Sequence, residues 1–179
     1  MRYFITFACN GAHLHDDEAG SVDRRHNVPG TRLAEANSER VAVMRQQMDQ
    51  LPCCLDKDRR ATVPDALREV CVHRRWNRRW GLLAAHVRTN HVPVVVEAEV
   101  RPETIMNTFK SYASRGLNRP GHDAPDRKRW ARHGSTRWLW KDDDVQEATR
   151  YVRFATRRPN RSLPSRSVVT YRSFTVAAQ

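Results

Sequence analysis

The segment from Leu82 to Val100, LLAAHVRTNHVPVVVEAEV, constrains the fold of this chain more than any other part of the sequence. Two apolar runs flank polar residues 88–90, a pattern typical of two adjacent strands joined by a turn. Side chains alternate between the faces of a strand, so His91 and Pro93 are expected on one face and His86 on the other. A second histidine at position 93 would complete a His-hydrophobic-His pair suited to a metal ion, but the chain has proline there.

The remaining sequence alternates between strand-like and helix-like patterns. Strands are predicted over residues 2–8 and 135–140, a long loop over 9–37, and helices beginning near Ser38, near Arg59 or Ala61, at Pro102 and at 142–144. Pro64 is expected in the first turn of the second helix, where its missing N–H costs little. This order predicts an α+β fold with an antiparallel sheet and helices mainly on one face. It predicts one domain over 1–156, followed by a poorly structured basic tail over 157–179.

The net charge of the 179-residue chain is +12, and its basic residues are almost all arginine. A basic balance of this size favours a polyanionic partner such as a nucleic acid. An arginine-rich codon usage is the alternative explanation. No apolar stretch approaches the roughly 18 residues that a membrane-spanning helix needs, so a cytoplasmic location is expected.

Four cysteines are present, and none of them forms a Cys-x-x-Cys pair. Zinc ligation by the cysteines together with His73 is conceivable, but the spacing fits no known pattern. In a cytoplasmic chain the thiols are expected to stay reduced and buried. The cysteines are Cys9, Cys53, Cys54 and Cys71.

Four segments occur in an order that resembles a known family: AAHVRTNHVPVVV, PETIMNTFKSYASRGLN, RWARHGSTRWLW and VQEATRYV. In kind and order they resemble the single-strand transposases of the HUH class, in particular the REP-associated tyrosine transposases. The first strand and its following loop, TFACNGAHLHDDEAGSVDRRHN, also resemble this group. The resemblance covers nearly the whole chain up to about Tyr151. It implies the ferredoxin-like HUH transposase fold.

The resemblance implies a homodimeric enzyme that binds single-stranded or hairpin DNA, cleaves it and rejoins it. In the family, two histidines and a polar residue hold Mg²⁺ or Mn²⁺, and a tyrosine attacks the phosphate to form a 5′-phosphotyrosine link. This division of labour is chemically reasonable, because a phenol with an ordinary pKa of about 10 is a poor nucleophile. A metal neutralises the phosphate charge, and a basic pocket holds the strand.

Carried over position by position, His91 matches the first metal histidine and Tyr151 matches the nucleophile. Pro93 falls on the second histidine and cannot ligate. The family's glutamine, about one helical turn after the tyrosine, falls at Ala155 and Thr156. The resemblance therefore implies a degenerate copy that lacks two of three expected metal ligands. The alternatives are a histidine hydrogen-bonded at the sheet surface and a tyrosine packed in the core.

Two weaker candidates come from the residues themselves. His13-Leu14-His15 is the His-hydrophobic-His string of this chain, but it lies in a Gly- and Asp-rich loop where the family has no metal site. Tyr112 is the second choice of nucleophile, and a packed aromatic is the alternative there.

Six residues are predicted to contact nucleic acid. Trp130, between Arg129 and Arg132, is expected at the surface, where it could stack on bases. The other tryptophans are expected in the core or half-buried. Lys110 and Arg115 share one helix and either touch phosphates or are solvated. The full set is Lys110, Arg115, Arg129, Trp130, Arg132 and Arg137.

These observations lead to one expected function and two alternatives. The chain is expected to be a DNA-binding protein of the HUH transposase fold whose strand-transfer activity is impaired or lost. The first alternative is a non-catalytic module that binds structured single-stranded DNA or RNA. The second is a folded relic without function.

Overall fold

The computed structural model describes residues 1–12, 38–78, 80–121, 123–124 and 126–154. The predictions for most of the loop over 9–37, including His13 and His15, lie outside these residues. So do those for Ala155, Thr156 and the tail over 157–179. None of the helices in the described part of the chain is long and apolar enough to cross a membrane.

The order of helices and strands confirms the predicted α+β fold. The elements are β1 (Arg2–Cys9), α1 (Ser38–Gln46), α2 (Lys57–Arg78), β2 (Gly81–Ala85), β3 (His91–Glu97), α3 (Pro102–Asn118), β4 (Trp130–Trp138) and α4 (Asp142–Phe154).

The predicted boundaries of two elements are wrong. Helix α2 begins at Lys57, so Pro64 lies inside the helix rather than in its first turn, where it removes the hydrogen bond its N–H would have donated. Strand β4 begins at Trp130, not at residue 135, and it ends at Trp138. Residues 130–134 were predicted as loop because they lack apolar alternation, yet they pair with β1 through a register shift.

The four strands form one antiparallel sheet in the order β2-β3-β1-β4. Strands β1 and β3 are therefore central, while β2 and β4 lie at the edges. Gly134 is required in β4, because a Cβ atom there would lie 2.5 Å from both the Thr6 carbonyl oxygen and the Met106 sulfur. The absence of a side chain lets the edge strand approach β1 closely.

Helices cover both faces of the sheet. The larger core lies under α2 and α3, and it receives the odd-numbered residues of β1 and the even-numbered residues of β3. Helix α3 starts with Pro102 at its first turn and presents Ile105 and Phe109 to this core. Helix α4 packs on the other face, against Phe4 and Val95. Three acidic residues in the first turn of α4 suit the positive end of its dipole.

Pro93 lies in the central strand β3, where a proline normally removes a ladder hydrogen bond. On the β1 side it faces Thr6. The bond from Cys9 N to the Asn90 oxygen, 2.8 Å, sets the register of this ladder, and Thr6–Pro93 falls on a position without hydrogen bonds. Its carbonyl instead accepts from His86 N, 3.1 Å, just past the end of β2. The missing N–H of Pro93 therefore costs one hydrogen bond, on the β2 side, at a position where β2 has already ended.

Candidate functional site

Tyr151 lies on the face of the sheet that α4 covers. Its ring packs edge-on against Phe4 of β1, with 5.9 Å between the ring centroids. The guanidinium carbon of Arg88 lies 5.7 Å from the centroid of the same ring. The side chain remains 37% exposed. The predicted nucleophile is thus neither a buried core aromatic nor a free surface residue.

Besides the bond from His86 N to the Pro93 oxygen, four hydrogen bonds to backbone oxygens hold the turn between β2 and β3. Leu55 N donates to the Thr89 oxygen at 2.7 Å, Cys9 N donates to the Asn90 oxygen at 2.8 Å, and Arg88 N donates to the His91 oxygen at 3.0 Å. The fourth joins His86 Nδ1 to the Val152 oxygen of α4 at 3.1 Å. Residues 86–91 are therefore held in one conformation against the helix that carries Tyr151.

His91 opens β3 and is half-buried. Its Nδ1 lies 2.7 Å from the Asn90 Oδ1. With Oδ1 as acceptor, Nδ1 carries the proton and the Nε2 lone pair is the ring's ligating atom. A partner that fixes the tautomer in this way is the usual companion of a metal-binding histidine.

The predicted placement of His86 is wrong. His86 lies on the same face as His91, because the chain turns between them and His86 pairs with Pro93 across the hairpin. The alternation rule holds within a continuous strand and fails across the turn. Pro93 lies on this face too, two residues along β3 from His91.

The side chains here do not fit a divalent metal ion. His91 provides one nitrogen, Pro93 provides none, and His86, also on this face, bonds the Val152 oxygen through Nδ1. Within the described ranges, no group of three His, Cys, Asp or Glu side chains is arranged to hold a metal. The site is thus defined by a tyrosine, a histidine and an arginine.

Arg88 is a site residue that the sequence does not single out, because there it is one of three polar residues between two apolar runs. Its Nε and Nη2 atoms are buried and have no hydrogen-bond partner within the described residues. Such atoms are costly, since a buried guanidinium normally pairs with a carboxylate, a phosphate or carbonyl oxygens. The Arg88 guanidinium therefore faces the Tyr151 ring with two nitrogen atoms that no described group satisfies.

Lys110 was predicted on a nucleic-acid surface, and the structure corrects this placement. It is only 9% exposed. Its Nζ donates to the carbonyl oxygens of Ala131 at 2.9 Å, His133 at 3.2 Å and Arg132 at 3.4 Å. Burial lowers the pKa of its ammonium group. Lys110 thus joins α3 to the beginning of β4, and its charge is directed inward.

Arg129 and Trp130 are also buried or half-buried rather than at the surface. Arg129 is 3% exposed and bonds the Asp123 carboxylate at 3.0 Å and the Asn118 Oδ1 at 2.7 Å. The Trp130 ring packs on Phe7 with centroids 5.1 Å apart. Its Nε1 donates to the Ser114 hydroxyl at 2.9 Å and to the Lys110 carbonyl oxygen at 3.1 Å. These groups fasten β4 to α3 and to the preceding loop.

The other three arginines of the predicted set are exposed. Arg115 lies over the Tyr112 ring, with 4.1 Å between the guanidinium carbon and the centroid. Arg132 and Arg137 belong to the edge strand β4. Arg137 is directly opposite Phe4, on the face that carries Tyr151, so its side chain begins about 5 Å from that of Phe4.

The exposed aromatic surface is formed by Trp138 and Trp140, which the sequence analysis placed in the core or half-buried. Their rings stack with centroids 5.1 Å apart and an angle of 8° between planes. They are 39% and 69% exposed. Trp138 also packs edge-on against Tyr3, with centroids 4.8 Å apart, on the face that α2 and α3 cover. The Trp-x-Trp spacing was the available signal, since alternate residues of an extended segment share one side.

Comparison with known proteins adds no assignment: no family model matches the chain, and no curated protein matches it.

Proposed function

We propose that this chain is a DNA-binding protein of the HUH transposase type that acts on single-stranded or hairpin DNA. One observation carries the proposal: Tyr151 lies against Phe4 and Arg88 on the sheet face that also bears His91. A nucleophile, a ring nitrogen and a cation on one face match what phosphodiester cleavage requires.

The proposed reaction is a transesterification at phosphorus. The Tyr151 oxygen forms a bond to the phosphorus atom, and the bond from phosphorus to the 3′ oxygen breaks. The phenol gives up its proton, and the leaving 3′ oxygen takes one up to become a hydroxyl. The product is a 5′-phosphotyrosine link, and attack by a 3′ hydroxyl reverses the reaction and rejoins the strands.

The proposal includes reduced activity. Transposases of this type use Mg²⁺ or Mn²⁺ to neutralise charge on the scissile phosphate, and the donor set here does not fit such an ion. His91 keeps the orientation of a ligand through Asn90, but Pro93 removes its partner. Strand transfer is therefore expected to be slow, while binding of the strand persists.

Binding is proposed to use exposed arginines and the two stacked tryptophans. The net charge of +12 attracts a polyanion. Arg137 lies on the Tyr151 face of β4. Trp138, which packs on Tyr3 on the other face of the sheet, and Trp140 offer rings on which bases can stack. The proposal also includes a homodimer and a cytoplasmic location, where the DNA substrate is found.

The second candidate is a binding module without catalysis for structured single-stranded DNA or RNA. The observation that favours it is Pro93, because the position that should supply the second ligand has no donor atom. Such a module would use the same arginines and tryptophans.

A covalent-capture experiment tests the proposal. The full chain is incubated with Mn²⁺ and a hairpin DNA whose short cleaved fragment diffuses away, and a labelled adduct is sought on a denaturing gel. The adduct should be lost in Tyr151→Phe and retained in Tyr112→Phe, a matched tyrosine on α3. Salt-sensitive binding without an adduct would favour the binding module. Absence of both would refute the proposal and its alternative together.

A further inference from the structure

We propose that Arg88 is a phosphate-binding residue that takes a backbone phosphodiester of the bound strand beside Tyr151. The inference deepens the proposed function and rests on it for the identity of the ligand. The anion site itself rests on the geometry of Arg88 alone.

Two of the three nitrogen atoms of the Arg88 guanidinium are not satisfied. Its Nε and Nη2 atoms are buried and lack a hydrogen-bond partner within residues 1–12, 38–78, 80–121, 123–124 and 126–154. Buried donor atoms without a partner are unfavourable. Two guanidinium nitrogens without partners match the spacing of two phosphate oxygens, which arginine binds as a fork.

The backbone at Arg88 is held in place. Arg88 N bonds the His91 oxygen at 3.0 Å, and the neighbouring Thr89 and Asn90 carbonyls accept from Leu55 and Cys9. A backbone held on both sides fixes the origin of the side chain before any ligand arrives. Because Nε and Nη2 are buried, an anion must displace the groups that cover them.

The partner of Arg88 must come from outside the described residues. No Asp or Glu follows Glu147 in the sequence, and the carboxylates of residues 13–37 lie outside the described part of the chain. The acidic first turn of α4 lies at the other end of that helix, where Asp142 pairs with Arg2. A phosphodiester of a nucleic acid is the anion that the charge of this chain attracts.

The consequence for the chemistry is specific. Negative charge grows on the phosphate oxygens as the Tyr151 oxygen attacks, and a fixed guanidinium stabilises that charge. Arg88 thus supplies part of the positive charge for which the His91 and Pro93 positions provide no metal site. Any cleavage by this chain should then depend on Arg88 and persist when EDTA is present.

Thermal unfolding of the full chain tests the anion site without DNA. Inorganic phosphate is compared with chloride at equal ionic strength, in wild type, Arg88→Gln and Arg68→Gln. Arg68 is an exposed arginine of α2 paired with Asp65, and it serves as the matched control. At ten times its dissociation constant, phosphate should raise the wild-type and Arg68→Gln midpoints by about 4 °C. It should leave Arg88→Gln unchanged. Equal phosphate responses in wild type and Arg88→Gln would overturn the proposal.

A second measurement uses a hairpin oligonucleotide and distinguishes a strand phosphate from free phosphate. The slope of log affinity against log salt should fall by about 0.7 in Arg88→Gln, the value for one phosphate on a single strand. Arg88→Lys should restore the slope, because it keeps the charge, but not the full affinity, because it loses the fork. An unchanged slope in Arg88→Gln would overturn the assignment to the strand.

The two proposals fail separately. A phosphate response through Arg88 without a DNA adduct would remove the transposase function and leave the anion site. An adduct that forms equally well in Arg88→Gln would remove the role of Arg88 and leave the transposase function.

Discussion

The Arg129 side chain forms an ion pair with Asp123, at 3.0 Å between Nε and Oδ2, that is almost removed from solvent. Arg59 of α2 bonds the other oxygen of the same carboxylate at 2.6 Å. One carboxylate therefore joins α2 to the residue that precedes β4. This junction positions the edge strand that carries Arg132, Arg137 and Trp138.

Asp123→Asn should lower the free energy of unfolding by about 3 kcal/mol, because it leaves the buried Arg129 guanidinium without its counter-charge. Urea unfolding measures this difference. Asp65→Asn provides the control, since its ion pair with Arg68 is exposed and should contribute less than about 1 kcal/mol. Equal effects of the two substitutions would contradict the structural role of Asp123.

The same carboxylate should make stability depend on pH. Its hydrogen bond with Arg59 lowers the Asp123 pKa from the ordinary 3.8, and the bond from Arg129 acts in the same direction. A depressed pKa means that the stabilisation is complete above the ordinary value and is lost as the pH falls through the folded-state value. The unfolding free energies of wild type and Asp123→Asn should therefore converge below pH 3.8. A constant difference down to the acid limit would refute the assignment.

Lys110→Met should destabilise the protein by about 1–3 kcal/mol, because three carbonyl oxygens at the start of β4 lose their shared donor. It should leave the salt dependence of DNA binding unchanged, since the ammonium group points inward. Arg115→Met is the comparison: exposed on the same helix, it should change stability by less than about 0.5 kcal/mol. A weaker salt dependence of DNA binding in Lys110→Met would show that Lys110 contacts the nucleic acid.

Trp140→Ala should weaken the binding of single-stranded DNA by about 1–3 kcal/mol if a base stacks on the pair that it forms with Trp138. Fluorescence anisotropy with a labelled oligonucleotide measures the affinity. Because the Trp140 ring is largely exposed, the midpoint of thermal unfolding should hardly move. Leu51→Ala controls for loss of an exposed apolar side chain elsewhere. Unchanged affinity in Trp140→Ala would exclude this surface from the binding site.

The strands and their faces could be predicted from the sequence where a strand is continuous and one of its faces is buried. Tyr3, Ile5 and Phe7 alternate with polar or less buried residues, and they do face the core. His86 was misplaced because its face depends on the length of a turn, which residue types alone did not fix. Strand β4 was predicted too short because its first half is exposed at the sheet edge and carries no apolar alternation.

The site was only partly predictable for a related reason. Tyr151 and His91 could be named from a pattern, but burial of Lys110 and Arg129 depends on partners that are far along the chain or in irregular loops. Long basic side chains have apolar stems that can enter a core when carbonyl or carboxylate oxygens accept hydrogen bonds from their charged groups. Arg88 could not be recognised either, because its importance arises from hydrogen bonds that it lacks in the folded chain.

Pro93→His should create a metal site, because it adds an imidazole two residues along β3 from His91, on the face that also carries His86. The change also returns a backbone N–H opposite His86, whose own N–H already bonds the carbonyl of residue 93. Because Pro93 is buried, the larger imidazole must displace its neighbours, and the free energy of unfolding should fall by about 1–3 kcal/mol.

Two measurements check the Pro93→His prediction. Mn²⁺ should raise the thermal midpoint of this variant and not that of wild type, since a ligand that binds only the folded state stabilises it. The yield of covalent adduct with hairpin DNA should rise with Mn²⁺ in the variant, and Pro93→Gln, which lacks an imidazole, should show neither effect. If the adduct yield rose in both variants without metal, the removal of proline from β3, and not an added metal ligand, would be the cause of the higher activity.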